Sequence, residues 1–119
     1  MSHDSLFTPA TLGALSLPNR IVMAPLTRCR ADTRHVPTPV MVDYYTQRAS
    51  AGLIVSEATM VIEGHSAFGG REPGIYSAEQ VAAWRTVTDA VHARGGRMVL
   101  QLWHGGRACH SLWNNGVQP

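Results

Sequence analysis

The sequence predicts the opening part of a parallel α/β barrel, and three observations predict it. Apolar runs at residues 21–27, 53–58 and Met98–Trp103 have the length and composition of strands buried on both faces. Helical patterns separate them, and the order strand, helix, strand, helix, strand calls for parallel strands joined by right-handed crossovers. Each run also delivers a polar or small residue at or near its end, Thr27, Ala58 and Gln101. Ligands in parallel α/β folds sit beyond the carboxyl ends of the strands, so these three residues are expected at one site. A closed (β/α)8, or TIM, barrel takes ~250 residues, whereas this chain has 119. Residues 1–119 are therefore expected to form the N-terminal portion of a single barrel domain. That portion comprises about three βα units and a capping hairpin, with the remainder of the barrel outside the chain.

The elements follow in order. Residues 6–17 alternate short apolar pairs with Pro9 and Gly13, which suggests a hairpin closing the bottom of the barrel. A polar, Arg-rich loop follows Thr27 and runs from 28 to 37. Thr38 then Pro39 marks a helix start, with Thr as N-cap and Pro at the first helical position. This helix is expected to pass through Val40, Met41, Tyr44, Tyr45 and Arg48 and to stop at Gly52, with its apolar positions three and four apart on one face. The segment 59–76 is long and Gly-rich, and long loops within a domain are often functional. Ser77 and Gln80 form a capping box for a second helix through Val81, Trp84, Val87 and Val91. Gly95 and Gly96 close it before the third strand. Residues 114–119 read as loop.

Composition bounds the function. Hydrophobic residues make up 45% of the chain and charged residues 15%, enough apolar material for a core. The formal net charge is +2, and the ten basic residues, all Arg, are scattered, which gives no support for a nucleic-acid partner. No apolar stretch approaches the ~20 residues that span a bilayer. Met1, Ser2, His3, Asp4 and Ser5 show no basic region leading into an apolar one, so a secretory signal is not expected. A cytoplasmic enzyme segment fits best. Cys29 and Cys109 lack framework spacing and are expected to be reduced and unpaired.

A flat heteroaromatic ring with hydrogen-bonding edges suits the three strand ends. Gln101 can donate and accept at once, matching adjacent N–H and C=O groups on a pyrimidine-like edge. Thr27 offers a hydroxyl, while Pro25 and Ala58 are rigid or small enough for backbone to approach the ring. The structural alternative, in which Thr27 caps a turn and Gln101 is a satisfied interior amide, stands at even weight on these residues alone.

Four blocks carry a resemblance to a known family. Asn19-Arg20-Ile21-Val22-Met23-Ala24-Pro25-Leu26-Thr27-Arg28 resembles the first-strand signature of the Old Yellow Enzyme family of FMN-dependent ene-reductases. Gln47-Arg48-Ala49-Ser50-Ala51-Gly52-Leu53-Ile54-Val55-Ser56-Glu57-Ala58-Thr59 resembles its second-strand block. Pro73-Gly74-Ile75-Tyr76-Ser77 and Gln101-Leu102-Trp103-His104-Gly105-Gly106-Arg107 resemble two more, in the same order. The resemblance implies a TIM barrel holding FMN at its top. Pro25 and Leu26 would contact the flavin through backbone, and Ala58 would pack at its pyrimidine side. Thr27 would donate to the O4 and N5 region and tune the potential, and Gln101 would hold the N3 and O2 edge. Trp103, with Thr27, would shape the substrate pocket.

The implied reaction passes hydride from NADPH or NADH through FMN to an alkene conjugated to a carbonyl or nitro group. No catalytic residue of this chain is assigned. The family's substrate-binding His pair (or His and Asn) and Tyr proton donor are expected in the missing part, and the isolated chain is expected to be inactive. The partners implied are a complementary C-terminal barrel polypeptide and a small activated alkene. The contrasting possibility is a non-catalytic fragment that self-associates through exposed strand edges.

Other local patterns carry less. His104-Gly105-Gly106 resembles a lipase oxyanion loop, but no G-x-S-x-G elbow accompanies it. His104, Cys109 and His110 match no zinc spacing, so no metal is expected. Tyr44, Tyr45 and Tyr76 read as packing residues rather than acids, and Arg28, Arg30 and Arg34 as a solvated loop more than a phosphate site. No G-x-G-x-x-G or Walker A run is present, so nicotinamide would bind without a Rossmann domain.

Overall fold

The computed structural model describes residues 3–117. Met1, Ser2, Gln118 and Pro119, on which parts of the terminal readings fall, lie outside the described residues. A short 3-10 turn, His3–Phe7, leads into an antiparallel hairpin of β1 (Ala10–Leu12) and β2 (Leu15–Leu17), with Ala10 opposite Leu17. Gly13 takes the left-handed backbone at its tip, with φ +56°, a conformation open to glycine without steric cost. The predicted capping hairpin is therefore present.

Three parallel strands form the second sheet, in the order β3 (Val22–Met23), β4 (Leu53–Met60), β5 (Met98–Trp103). β3 is much shorter than the 21–27 run predicts. Pro25 has no N–H to give to a ladder, and pairing to β4 is confined to Val22–Leu53 and Met23–Ile54. β4 is two residues longer than expected. Its end is held by the returning loop, where Met60 N–H donates to Pro73 O and Ile75 N–H to Met60 O, each at 2.9 Å.

Helix α1 (Pro39–Thr46) starts where predicted but ends earlier than Arg48. Its last turn tightens through Arg48 N–H to Tyr45 O and Ala49 N–H to Thr46 O, bonds of the 3-10 type that wind the chain down to β4. Thr38 sits at the N-cap with extended backbone, but its hydroxyl donates to Arg30 O at 2.7 Å instead of capping the helix. It ties the preceding loop to the helix start. In α2 (Ala78–Ala93) the capping box forms as predicted: Gln80 N–H donates to Ser77 Oγ, and Gln80 Oε1 accepts from Ser77 N–H. Gln80 is itself buried and reaches further, with Oε1 also accepting from Tyr76 N–H and Nε2 donating to Arg34 O.

Both helices cover one face of the sheet. Met41, Tyr45, Ala49, Trp84, Val87 and Val91 pack with Ile54, and Met23 and Met98 border this core. Register places Met23, Ile54 and Met98 in one row across the three strands. Alternation along a strand sends the rows on either side, Val22 with Leu53 and Val55 with Val99, to the other face. That face is open at its sides: Val22 is 48% and Val99 38% exposed. Below it, Gly52 runs so close to Asn19 that a Cβ would collide with the Asn19 carbonyl. Gly52 N–H donates to Ile21 O at 2.8 Å and Asn19 Nδ2 to Ser50 O at 2.9 Å, fixing the floor of the sheet.

Trp84 joins layer to loop, since its ring lies in the core and its Nε1 donates to Gly74 O at 3.1 Å. Trp84→Ala is expected to cost about 3–5 kcal/mol, read as a lowered denaturation midpoint. A loss below ~1 kcal/mol would mean the two helices close over the cavity without it.

Candidate functional site

Parallel pairing carries Ala58 and Gln101 to the same level, and they are register partners on β4 and β5. Two residues further on, Met60 partners Trp103. The pairing depends on a bulge. Val55 opposes Val99 and Ala58 opposes Gln101, so three steps along β4 match two along β5. One extra residue re-aims the side chains that follow it. Strict alternation from Ile54 would turn Ala58 to the helices and Glu57 to the open face. Instead Ala58 shares the row of Val99, Gln101 and Trp103, and Glu57 enters the helix layer. Ser56 repairs the interrupted ladder: its Oγ accepts from Gln101 N–H at 3.0 Å and donates to Glu57 O at 2.9 Å.

Glu57 is 1% exposed. Its Oε1 accepts from the Tyr45 hydroxyl at 3.0 Å, and its own N–H donates back to that hydroxyl at 2.9 Å. Its Oε2 accepts from Arg28 N–H at 3.1 Å, which brings the segment after β3 against the end of β4. Burial pushes the Glu57 carboxyl up, opposed by the Arg28 N–H and the Tyr45 hydroxyl, which favour the charged form. Burial likewise pushes the Tyr45 hydroxyl up, so it stays protonated and donates. Tyr45 thus packs in the core as predicted and also holds a carboxylate. Glu57 escaped the sequence reading because its partners lie 12 and 29 residues away; a carboxylate inside an apolar strand was the available signal.

The strand ends converge. Pro25 and Leu26 are exposed and Thr27 and Gln101 half-buried, while Ala58 is buried. Among the described residues neither the Thr27 hydroxyl nor the Gln101 carboxamide has a hydrogen-bond partner. Trp103 is half-buried, its ring 5.2 Å from that of Phe68 in the long Gly-rich loop. That loop is organised by a second buried carboxylate, Glu72, whose Oε1 accepts from Ser66 Oγ (2.8 Å), Ala67 N–H (2.7 Å) and Phe68 N–H (3.0 Å). Its Oε2 is buried without a partner among the described residues. Burial pushes the Glu72 carboxyl up, but these hydrogen bonds and its own backbone N–H outweigh burial and hold it below the usual carboxylate range.

The Arg-rich loop is tied to the protein. Arg34 pairs with Asp32 at 3.3 Å and Glu79 at 2.8 Å, and the Arg28 guanidinium lies 5.5 Å from the centre of the Tyr44 ring. Tyr44 and Tyr76 are half-buried. Cys29 and Cys109 are unpaired. Cys109 Sγ lies 3.8 Å from His65 Nδ1, and the His65 and His104 rings are 4.1 Å apart. Among the described residues no group of three His, Cys, Asp or Glu is placed to hold a metal, and no helix is long and apolar enough to cross a membrane.

A parallel sheet with helices on one face, a hairpin at the bottom and polar strand ends at the top is the first part of a TIM barrel, a fold whose ligands sit at the strand ends. Residues 5–116 match the model of the NADH:flavin oxidoreductase / NADH oxidase family. The chain is 52% identical over 107 residues to a probable flavin mononucleotide-dependent alkene reductase of Leishmania infantum, covering 90% of this chain and 29% of that protein. It is 47% identical over 116 residues to 12-oxophytodienoate reductase 7 of Oryza sativa subsp. japonica, covering 96% and 29%. Among solved structures, morphinone reductase superposes with a TM-score of 0.90 at 52% identity, over 97% of this chain and 30% of that one. The old yellow enzyme from Trypanosoma cruzi gives 0.86 at 53%, over 89% and 28%. The chain belongs to this flavin oxidoreductase family, the Old Yellow Enzymes, and spans a little under a third of the length of these relatives.

Glu72 is expected to make the loop acid-sensitive. A carboxylate whose pKa is lowered by folding contributes stability above its unfolded value and loses it as pH falls through the folded one. The Ala67 and Phe68 amides are therefore expected to lose hydrogen-exchange protection below about pH 4, and Glu72→Gln to abolish that pH dependence. Equal protection of the unsubstituted protein across this range would remove Glu72 from the role.

Proposed function

We propose that this chain supplies the N-terminal, flavin-holding part of an FMN-dependent ene-reductase, completed by the remaining barrel strands on a complementary C-terminal polypeptide. The observation that carries the reading is the Ala58–Gln101 pair, with a carboxamide free of protein partners, beside the Thr27 segment. The residues fit a flavin. The Gln101 carboxamide presents a donor and an acceptor together, as an imide-like ring edge requires. Ala58 leaves room beside it for a planar ring. Pro25 and Leu26 present exposed backbone, and the Thr27 hydroxyl is free to donate. When bound, FMN supplies hydride transfer between NADPH or NADH and an alkene conjugated to a carbonyl or nitro group. Thr27 would stabilise negative charge at the ring's edge, Gln101 would orient the opposite edge, and Trp103 would bound the space offered to the alkene.

Substrate-binding and proton-donating groups would come from the completing part, so the isolated chain would not turn over. The open face that carries Val22, Val55 and Val99 supports completion by further strands, because parallel sheets are stable when covered on both faces.

Native mass spectrometry tests the assembly. One copy of this chain, a larger companion and one FMN is the expected composition. Multiples of this chain without flavin would replace the proposal by a self-associating, non-catalytic fragment, which the exposed Ile21, Val22, Val99 and Leu102 would then explain. In the assembled enzyme, Thr27→Ala removes one hydrogen bond worth ~0.5–1.5 kcal/mol. The expected result is a flavin potential lower by about 10–30 mV at intact fold; an unchanged potential would remove Thr27 from the flavin. Trp103→Ala is expected to change the ratio of alkene substrates accepted more than FMN affinity. An effect on thermal stability alone would return Trp103 to a packing role.

A further inference from the structure

The carboxylate of Glu57, near the end of β4, is hydrogen-bonded to α1 and to the segment after β3, yet to neither the Thr27 hydroxyl nor the Gln101 carboxamide. We propose that Glu57, braced by Tyr45, is the positioning residue that sets the Thr27 hydroxyl against the ring, an inference that rests on the flavin reading above. The geometry is a relay of fixed links. α1 supplies Tyr45, fully buried in the core, whose hydroxyl both donates to Glu57 Oε1 and accepts from Glu57 N–H. This pair of bonds locks the carboxylate's plane and the bulge backbone to the helix layer. The other oxygen takes the Arg28 N–H, and the peptide that carries this N–H is the one leaving Thr27.

Other restraints on residues 24–28 are few. β3 pairs with β4 only at Val22 and Met23, five and four residues before Thr27. Among the described residues the backbone of 24–27 makes no hydrogen bond to other backbone outside strand pairing. A segment that Pro25 keeps out of the ladder therefore takes its position from Glu57. The bulge performs two tasks at once. It turns Ala58 to the ring side and sends Glu57 inward to a buried anchor, so the strand end acquires a flat ligand face and a hold on its neighbour from one inserted residue.

The test uses the assembled flavoenzyme, four single variants, Glu57→Leu, Glu57→Gln, Tyr45→Phe and Thr27→Ala, and one double variant. Hydrogen exchange at the Arg28 amide reads the anchor itself, and the flavin potential reads its consequence. Glu57→Leu is expected to raise Arg28 exchange by about tenfold or more and to move the potential in the same direction as Thr27→Ala. The Thr27→Ala/Glu57→Leu double variant is expected to show no further shift, because Glu57 acts through Thr27. Glu57→Gln keeps an acceptor for Arg28 and should retain most of the protection. If Glu57→Leu does not fold, Tyr45→Phe, which removes the brace while leaving both carboxylate oxygens in place, should raise Arg28 exchange relative to Glu57→Gln.

Unchanged Arg28 exchange with normal FMN binding would overturn the positioning role. So would potential shifts that add in the double variant, which would mean that Glu57 acts by its charge. Absence of FMN from the unsubstituted assembly would instead overturn the flavin reading, and with it this one, while Arg28 exchange stays measurable.

Discussion

β4 is the strand on which both halves of the sheet are built, since β3 and β5 are bonded to it and not to each other. Its first residues place Ile54 under both helices, so the row Met23, Ile54 and Met98 can be covered by Met41, Tyr45, Trp84, Val87 and Val91. Burying each such side chain contributes roughly 1.5–3 kcal/mol, and this layer is where the fold gains its cohesion. The last residues of β4 serve a different purpose. Residues 56–59 are polar or small, Met60 ends the strand, and the hydrogen bonds of this stretch go outward to the segment after β3, to β5 and to the returning loop.

The change from packing to site construction takes place within three residues. Ser56 bonds β5, Glu57 bonds α1 and the segment after β3, and Ala58 offers little beyond its small size. A regular strand could not serve all three directions, because successive side chains only alternate between two faces. The bulge adds the missing direction. A comparable economy appears at Glu72, where one carboxylate oxygen gathers three donors and shapes the loop that carries Phe68 to Trp103.

What the sequence made legible was local or repeated. The hairpin, the Ser77–Gln80 box and the alternation of strands and helices follow from rules that act over a few residues, and they are present. The association of Ala58 with Gln101 was readable because both were assigned to strand ends, and topology brings strand ends together. Features set by distant partners were not readable. Thr38 has the composition of a cap, yet Arg30 O offers its hydroxyl a different acceptor. The run 21–27 looks like a full strand, and only Pro25, weighed against a neighbour's ladder, explains why pairing stops at Met23. Glu57 reads as an interruption in an apolar run until Tyr45 and Arg28 are seen beside it.

The floor of the sheet has a consequence for how this protein tolerates change. Asn19 and Gly52 meet backbone to backbone, with Ile21 and Ser50 bonded across the same junction. That contact is defined by the absence of a side chain, so no repacking nearby can compensate for a larger residue at 52. The upper rim is defined by side chains that reach across loops, and alternative side chains can do the same work with other lengths. A larger residue at 52 should therefore cost the fold its floor, whereas rim side chains can be exchanged except where backbone is equally hemmed in, as at Gly105 against the His65 carbonyl and Cys109.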